Sequence, residues 1–292
     1  MMDLHKKKQQ LVIFTDLDGT LIDHLTHSFQ PALPALAALK ERNIPLVFCS
    51  SKTRSEIERI RKRTENTHPF IVENGGAVFI PNKYFPPESG SGIDSAQMKE
   101  KDLEYRVIEL GSPYPQLREI LSQIQARFPG AIRGFGDLSV AEISKLCQFS
   151  LDEAFLARQR EYDEPFILAN ERLLGKIQEI AEHSSLQVTQ GGRFLHLMGT
   201  NDKGQAVLRL IDLYRRKFGF LQTAALGDSL NDLPMLAAVD IPVLLPKPDG
   251  RYDPSVKLDG LFFAKDSGPR GWCDSVLEII RDSKETEYPN GN

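Results

Sequence analysis

The sequence predicts an α/β protein with a doubly wound, mostly parallel, Rossmann-like core sheet and an inserted α+β cap domain. Three observations carry this. Short apolar runs alternate with amphipathic stretches at both ends of the chain, as in strands joined by right-handed crossovers. Between them, after a Pro-, Gly- and Ser-rich stretch at residues 84–92, strict alternation stops. The apolar runs end in carboxylates, hydroxyls and a glycine-rich turn, and open α/β sheets bind ligands beyond the carboxyl ends of their strands.

In order, Leu11-Val12-Ile13-Phe14 is a continuous apolar run, as expected of a strand buried on both faces. Residues 34–42 carry apolar positions at helical spacing, closed by Asn43 and Pro45. Residues 45–49 form a second strand running into Ser50-Ser51-Lys52, and Thr53 caps a charged helix over 54–63. A third strand over 69–72 ends at Glu73-Asn74-Gly75-Gly76, and a hairpin-like 77–81 follows. The insert, placed at 85–199, reads as strands over 105–110, 166–169, 186–189 and 194–198, with helices over 116–128, 140–146, 151–158 and 171–183. That order suits an antiparallel sheet backed by helices. The core then resumes with a helix over 203–218, a strand over 223–226, a helix over 233–239, strands over 241–245 and 261–264, and a helix over 271–281. Residues 1–84 and 200–292 are therefore expected to form the core.

A net charge of −4 with dispersed Lys and Arg gives no electrostatic footprint for nucleic acid. No segment approaches the roughly 18 apolar residues that cross a bilayer, and no signal-peptide apolar region precedes the first strand. Cys49, Cys147 and Cys273 are far apart and in no metal-binding spacing, so they read as reduced thiols. The expectation is a cytoplasmic protein, monomer or homodimer, with no nucleic-acid or membrane partner.

Asp16 and Asp18 stand i, i+2 at the end of the first strand, so in extended chain both project toward one spot. Two such charges need a cation between them or a proton on one. On its own the pair could be a solvated turn. Asp228 and Asp232, one helical turn apart, follow another strand; alone they could be acids favoured at a helix N-terminus. Lys203 opens a helix, which Asn201-Asp202 could merely cap. Carboxylates with a lysine and a hydroxyl are what metal-assisted phosphoryl transfer needs, and oxygen ligands suit Mg²⁺.

Asp16-Leu17-Asp18-Gly19-Thr20, the hydroxyl after the second strand, the lysine of Asp202-Lys203-Gly204 and Gly227-Asp228-Ser229-Leu230-Asn231-Asp232 resemble, in order, the four motifs of the haloacid dehalogenase superfamily phosphatases. The resemblance implies that Asp16 is the nucleophile and Asp18 the general acid, then base. It also implies that Asp16, the Asp18 backbone carbonyl and Asp228 bind Mg²⁺ with support from Asp232. Ser50, chosen over Ser51 because it directly follows the apolar run, and Lys203 would hold the phosphate oxygens.

Further strings resemble the mannosyl-3-phosphoglycerate phosphatases within that superfamily: Ser51-Lys52-Thr53-Arg54, Glu73-Asn74-Gly75-Gly76, Gly134-Phe135-Gly136-Asp137, residues 160–166 and Gly191-Gly192-Arg193-Phe194. This implies hydrolysis of mannosyl-3-phosphoglycerate to mannosylglycerate and phosphate. A glucosyl-3-phosphoglycerate or hexose phosphate substrate, a phosphomutase, and a non-catalytic binding protein are the alternatives. Such a substrate needs a carboxylate clamp, for which Arg160 and Arg193 are candidates. Glu161, Asp163, Glu73 and Asn74 are candidates for sugar hydroxyls, and Ser51, Lys52 and Gly75 complete the substrate-binding set. Against this, residues 160–164 could be a solvated charge run, Gly75-Gly76 a tight turn, and His196 a packed or surface histidine.

Overall fold

The computed structural model describes residues 9–86, 98–100, 104–191 and 194–283. In chain order the elements are β1 (Gln10–Thr15), α1 (Leu33–Glu41), β2 (Leu46–Cys49), α2 (Arg54–Thr64), β3 (Phe70–Val72), β4 (Ala77–Pro81) and β5 (Met98–Glu100). Next come β6 (Tyr105–Glu109), α3 (Tyr114–Arg127), β7 (Ile132–Gly134), α4 (Val140–Cys147), α5 (Leu151–Ala157), β8 (Asp163–Leu168), α6 (Leu174–His183), β9 (Gln187–Gly191) and β10 (Phe194–Met198). The chain continues with α7 (Lys203–Phe218), β11 (Leu221–Gly227), α8 (Leu233–Ala237), β12 (Ile241–Leu244), β13 (Phe262–Phe263) and α9 (Gly268–Asp282). It divides into two compact units, Met1–Phe48 with Leu210–Asn292, and Cys49–Arg209.

In the first unit the strands run in the order β13-β12-β11-β1-β2, every pair parallel. Val12, Ile13 and Phe14 are fully buried, which is why β1 reads as an uninterrupted apolar run rather than an alternating one. Asp240 ties the far end of this sheet, accepting hydrogen bonds from the Thr223 amide and hydroxyl at 2.8 and 2.7 Å. Trp272, Val276 and Ile280 form the buried face of α9, which packs on α1.

The second unit holds two antiparallel arrays: β3-β4-β6-β5 and β7-β8-β10-β9. Tyr105–Glu109, in the stretch expected to be inserted, pairs with β4 and not with the four-stranded sheet. Helices α3 and α6 bury Leu117, Leu121, Ile124 and Ile177 in a core with Phe166 and Leu197, the helix-backed antiparallel sheet that the element order predicts. Helices α2, α4 and α5 each start with a capping box: Thr53 with Glu56, Ser139 with Glu142, and Ser150 with Glu153. Two short strands escape the apolar pattern, because Lys99 and Glu100 fill β5 and the exposed Arg133 splits β7. Of the expected linker, residues 87–92 lie outside the described residues.

Candidate active site

At the end of β1 the Asp16 amide donates to the Leu226 carbonyl at 2.9 Å, so the parallel ladder with β11 extends to the carboxylate itself. The chain then turns tightly: Gly19, at φ +79°, donates to the Ile22 carbonyl at 2.8 Å. A methyl group on Gly19 would lie 2.6 Å from Asp228 Oδ2, so only glycine lets the two loops approach this closely.

Asp16, Asp228 and Asp232 are all buried, and carboxylate oxygens of the three lie within 4.8 Å of one another. The sequence spacing thus closes into one cluster from two parallel strands. Asp232 is oriented by the backbone, its Oδ2 accepting from the amides of Asp228 and Ser229 at 2.9 and 3.0 Å. Burial pushes the Asp228 carboxyl above its ordinary range, and the neighbouring Asp232 charge pushes it further. Lys247 opposes both, donating to Asp228 Oδ2 at 2.7 Å and to Ser229 Oγ at 2.8 Å. The three desolvated carboxylates offer oxygen ligands of the kind a hard divalent cation takes. Asp18, half-buried in the turn, contributes no carboxylate to this trio. Lys247 is a functional candidate that the sequence reading missed, because no motif marks it in Leu245-Pro246-Lys247-Pro248.

In the second unit Ser50 is buried; its amide donates to the Ile71 carbonyl and its hydroxyl accepts from the Lys52 amide at 3.3 Å. Lys52 pairs with Glu56 at 3.5 Å. Lys203 is 1 % exposed, unlike the solvated helix residue it would be without the motif. Asp202 does cap α7, accepting from the Gln205 amide at 2.8 Å, whereas Asn201 is buried and donates to the Asn74 carbonyl at 3.2 Å.

Glu73, Asn74 and Gly75 occupy the left-handed region in succession, with φ of 47°, 56° and 88°. A Cβ on Gly75 would sit 2.0 Å from the Asp202 carbonyl oxygen, so this glycine is fixed by contact as well as by its dihedral. The Glu73 carboxyl is fully buried and accepts the amides of Glu161 and Tyr162. Burial pushes it up to about 8, with Asp163 adding to the effect. Asn74 donates to Asp163 Oδ2 at 3.1 Å, and the His196 ring meets the same carboxylate at 2.8 Å. His196 is 5 % exposed, a packed residue of this network.

Residues 160–164 are not a solvated run: Asp163 and Glu164 are completely buried. Arg160 donates Nε to the Ala157 carbonyl and Nη1 to the Ser51 carbonyl, at 2.9 and 2.8 Å, and lies 3.8 Å from Asp163. The Glu161 carbonyl accepts from the Tyr114 amide at 2.8 Å. Arg193 lies outside the described residues. Beside this network a pocket of about 360 Å³ is lined by Tyr114, Arg118, Gly136, Val140, Phe155, Arg158 and Gln159.

A family model for haloacid dehalogenase-like hydrolases matches residues 13–107. A glucosyl-3-phosphoglycerate/mannosyl-3-phosphoglycerate phosphatase of Methanococcoides burtonii is 48 % identical over 92 % of this chain and 97 % of its own. The chain belongs to the haloacid dehalogenase-like hydrolases. A second relative in this family, the mannosyl-3-phosphoglycerate phosphatase of Pyrococcus furiosus, is 36 % identical over 80 % of this chain and 90 % of its own. The fold recurs in the sucrose-phosphatase of Synechocystis sp., with a TM-score of 0.59 at 16 % identity over 94 % of this chain and 98 % of that one. A Thermoplasma acidophilum protein gives a TM-score of 0.63 at 17 % identity over 94 % and 99 %. As a haloacid dehalogenase-like phosphatase, the chain acts on a small phosphorylated substrate, and its buried aspartate cluster is a candidate metal centre. No helix among the described residues is long and apolar enough to cross a membrane.

Proposed function

We propose that this protein is a Mg²⁺-dependent phosphatase of mannosyl-3-phosphoglycerate, releasing mannosylglycerate and orthophosphate, with the glucosyl ester as a second substrate. The observation that carries the reading is the buried trio Asp16, Asp228 and Asp232, in a chain so similar to a phosphatase whose name covers both esters. Residues 85–199 would supply substrate specificity, and the cytoplasm is the compartment that suits the reduced cysteines.

In this reading Asp16 attacks phosphorus in line, forming an aspartyl-phosphate as the bond to the substrate oxygen breaks. Asp18 gives its proton to the departing alkoxide, then takes one from the water that hydrolyses the aspartyl-phosphate. The Ser50 hydroxyl and the Lys203 ammonium hold the non-bridging oxygens as charge shifts among them. Asp16, Asp228 and the Asp18 backbone carbonyl would hold the Mg²⁺, with Asp232 supporting them; when bound there it would screen the carboxylate nucleophile from the phosphate charge.

Phosphate release from a panel of phosphorylated sugars and glycerates, with Mg²⁺ and with Asp16→Asn as control, tests this. Release from the hexosyl-3-phosphoglycerates, abolished in the variant, is the expected result. A strong preference for a free hexose phosphate would overturn the substrate, and transfer to sugar instead of water would overturn the hydrolase.

A further inference from the structure

Of the arginine forks in the second unit, Arg160 is held by two backbone carbonyls. The pocket beside it is built differently. Behind its lining lies the fully buried Glu164, which accepts from Tyr114 Oη and Arg118 Nη1 at 2.6 Å each and from the Gly136 amide at 3.0 Å. Arg118 also pairs with Asp137. A side chain on Gly136 would come within 2.6 Å of Arg118 Nε and 2.8 Å of Tyr114 Oη, so glycine keeps the pocket open. On the wall, Phe155 exposes 54 % of its surface although it is a large aromatic ring. Beside it the Arg158 guanidinium and Gln159 Nε2 have no partner among the described residues.

We propose that this pocket holds the hexosyl ring of the substrate, an inference that rests on the phosphatase reading above. Phe155 offers a flat apolar face for the C–H face of a pyranose. Tyr114 donates its own proton to Glu164 and so presents its oxygen as an acceptor for a ligand hydroxyl. Arg158 and Gln159 supply donors on the other side. A hydroxyl is both donor and acceptor, and this lining serves both roles. An anionic ligand fits worse, because the carboxylates of Glu164 and Asp137 already balance Arg118.

The wall of the pocket is stitched to the segment that starts at Ser50. Thr53 Oγ1 donates to the Leu156 carbonyl at 3.0 Å, Ser55 Oγ to Gln159 Oε1 at 2.5 Å, and Arg160 Nη1 to the Ser51 carbonyl at 2.8 Å. A ligand in the pocket is thus adjacent to the segment that carries the phosphate-reading hydroxyl. This suits a substrate with a sugar at one end and a phosphate at the other.

Steady-state kinetics on mannosyl-3-phosphoglycerate, with competitive inhibition by inorganic phosphate, test the assignment. Phe155→Ala should raise KM about tenfold and Arg158→Ala at least about threefold, while the phosphate inhibition constant stays within about twofold. Phe155→Tyr should restore KM. A purely structural role would move the inhibition constant too, and parallel shifts would overturn the assignment. Wild-type turnover with KM unmoved in both alanine variants would overturn the pocket alone. A wild type that hydrolyses other phosphomonoesters but not the hexosyl ester would overturn the substrate reading, and the pocket with it.

Discussion

The Trp272 indole donates to Thr15 Oγ1 at 2.9 Å, and Thr15 in turn donates to the backbone carbonyl of Asp16 at 2.7 Å. Both side chains are completely buried. A tryptophan from the last helix therefore fixes the peptide that carries the candidate nucleophile. Trp272→Phe keeps most of the packing but removes the donor. It should cost about 1–2 kcal/mol of stability and lower kcat more than it changes KM. Urea unfolding and steady-state kinetics check this.

A cation held by the aspartate cluster would act as a stability ligand. Without a cation the three carboxylates repel one another in a desolvated space. Added Mg²⁺ should raise the melting temperature of chelator-treated protein by a few degrees, as for any ligand that binds only the folded state. Asp228→Asn should blunt that shift and lose nearly all phosphatase activity. Equal shifts in both proteins would place the ion elsewhere.

Gly19→Ala tests the close approach at the same cluster. Its methyl group would press on Asp228 Oδ2, in a backbone conformation that alanine disfavours. A fall in kcat of about a hundredfold is expected from the displaced geometry. Circular dichroism should show the fold retained.

Glu73 makes folding pH-dependent. Its pKa is raised from 4.5 to about 8 in the folded chain, so the folded state holds a proton that the unfolded state releases between those values. Its contribution is full below the lower value and is lost as the pH rises through the upper one. Glu73→Gln removes this dependence, and its stability relative to wild type should climb steadily from pH 5 to pH 8. Unfolding free energies of the two proteins at several pH values decide it; a constant difference would refute the assignment.

The core strands were legible because apolar runs such as Leu11–Phe14 are local, and the aspartate cluster because its members stand in short contiguous strings at strand ends. The interior of the second unit was not. Strand β8 begins at Asp163, three residues before its apolar run, because Asp163 and Glu164 find their partners far away in sequence at Asn74, His196, Tyr114 and Arg118. Linear spacing cannot register such pairings, so a buried network looks like a charged surface. Lys247 was invisible for the same reason, since its partner Asp228 lies 19 positions earlier.

The three hydrogen bonds from Thr53, Ser55 and Arg160 carry a consequence for re-engineering. Phe155 and Arg158 stand outside this stitching, so they can be exchanged to admit a different glycoside with little effect on turnover. Gln159 and Arg160 hold their stitches through side chains, and changing them should disturb turnover and selectivity together. Directed evolution toward new glycosides would therefore gain most from libraries confined to the two outward-facing positions.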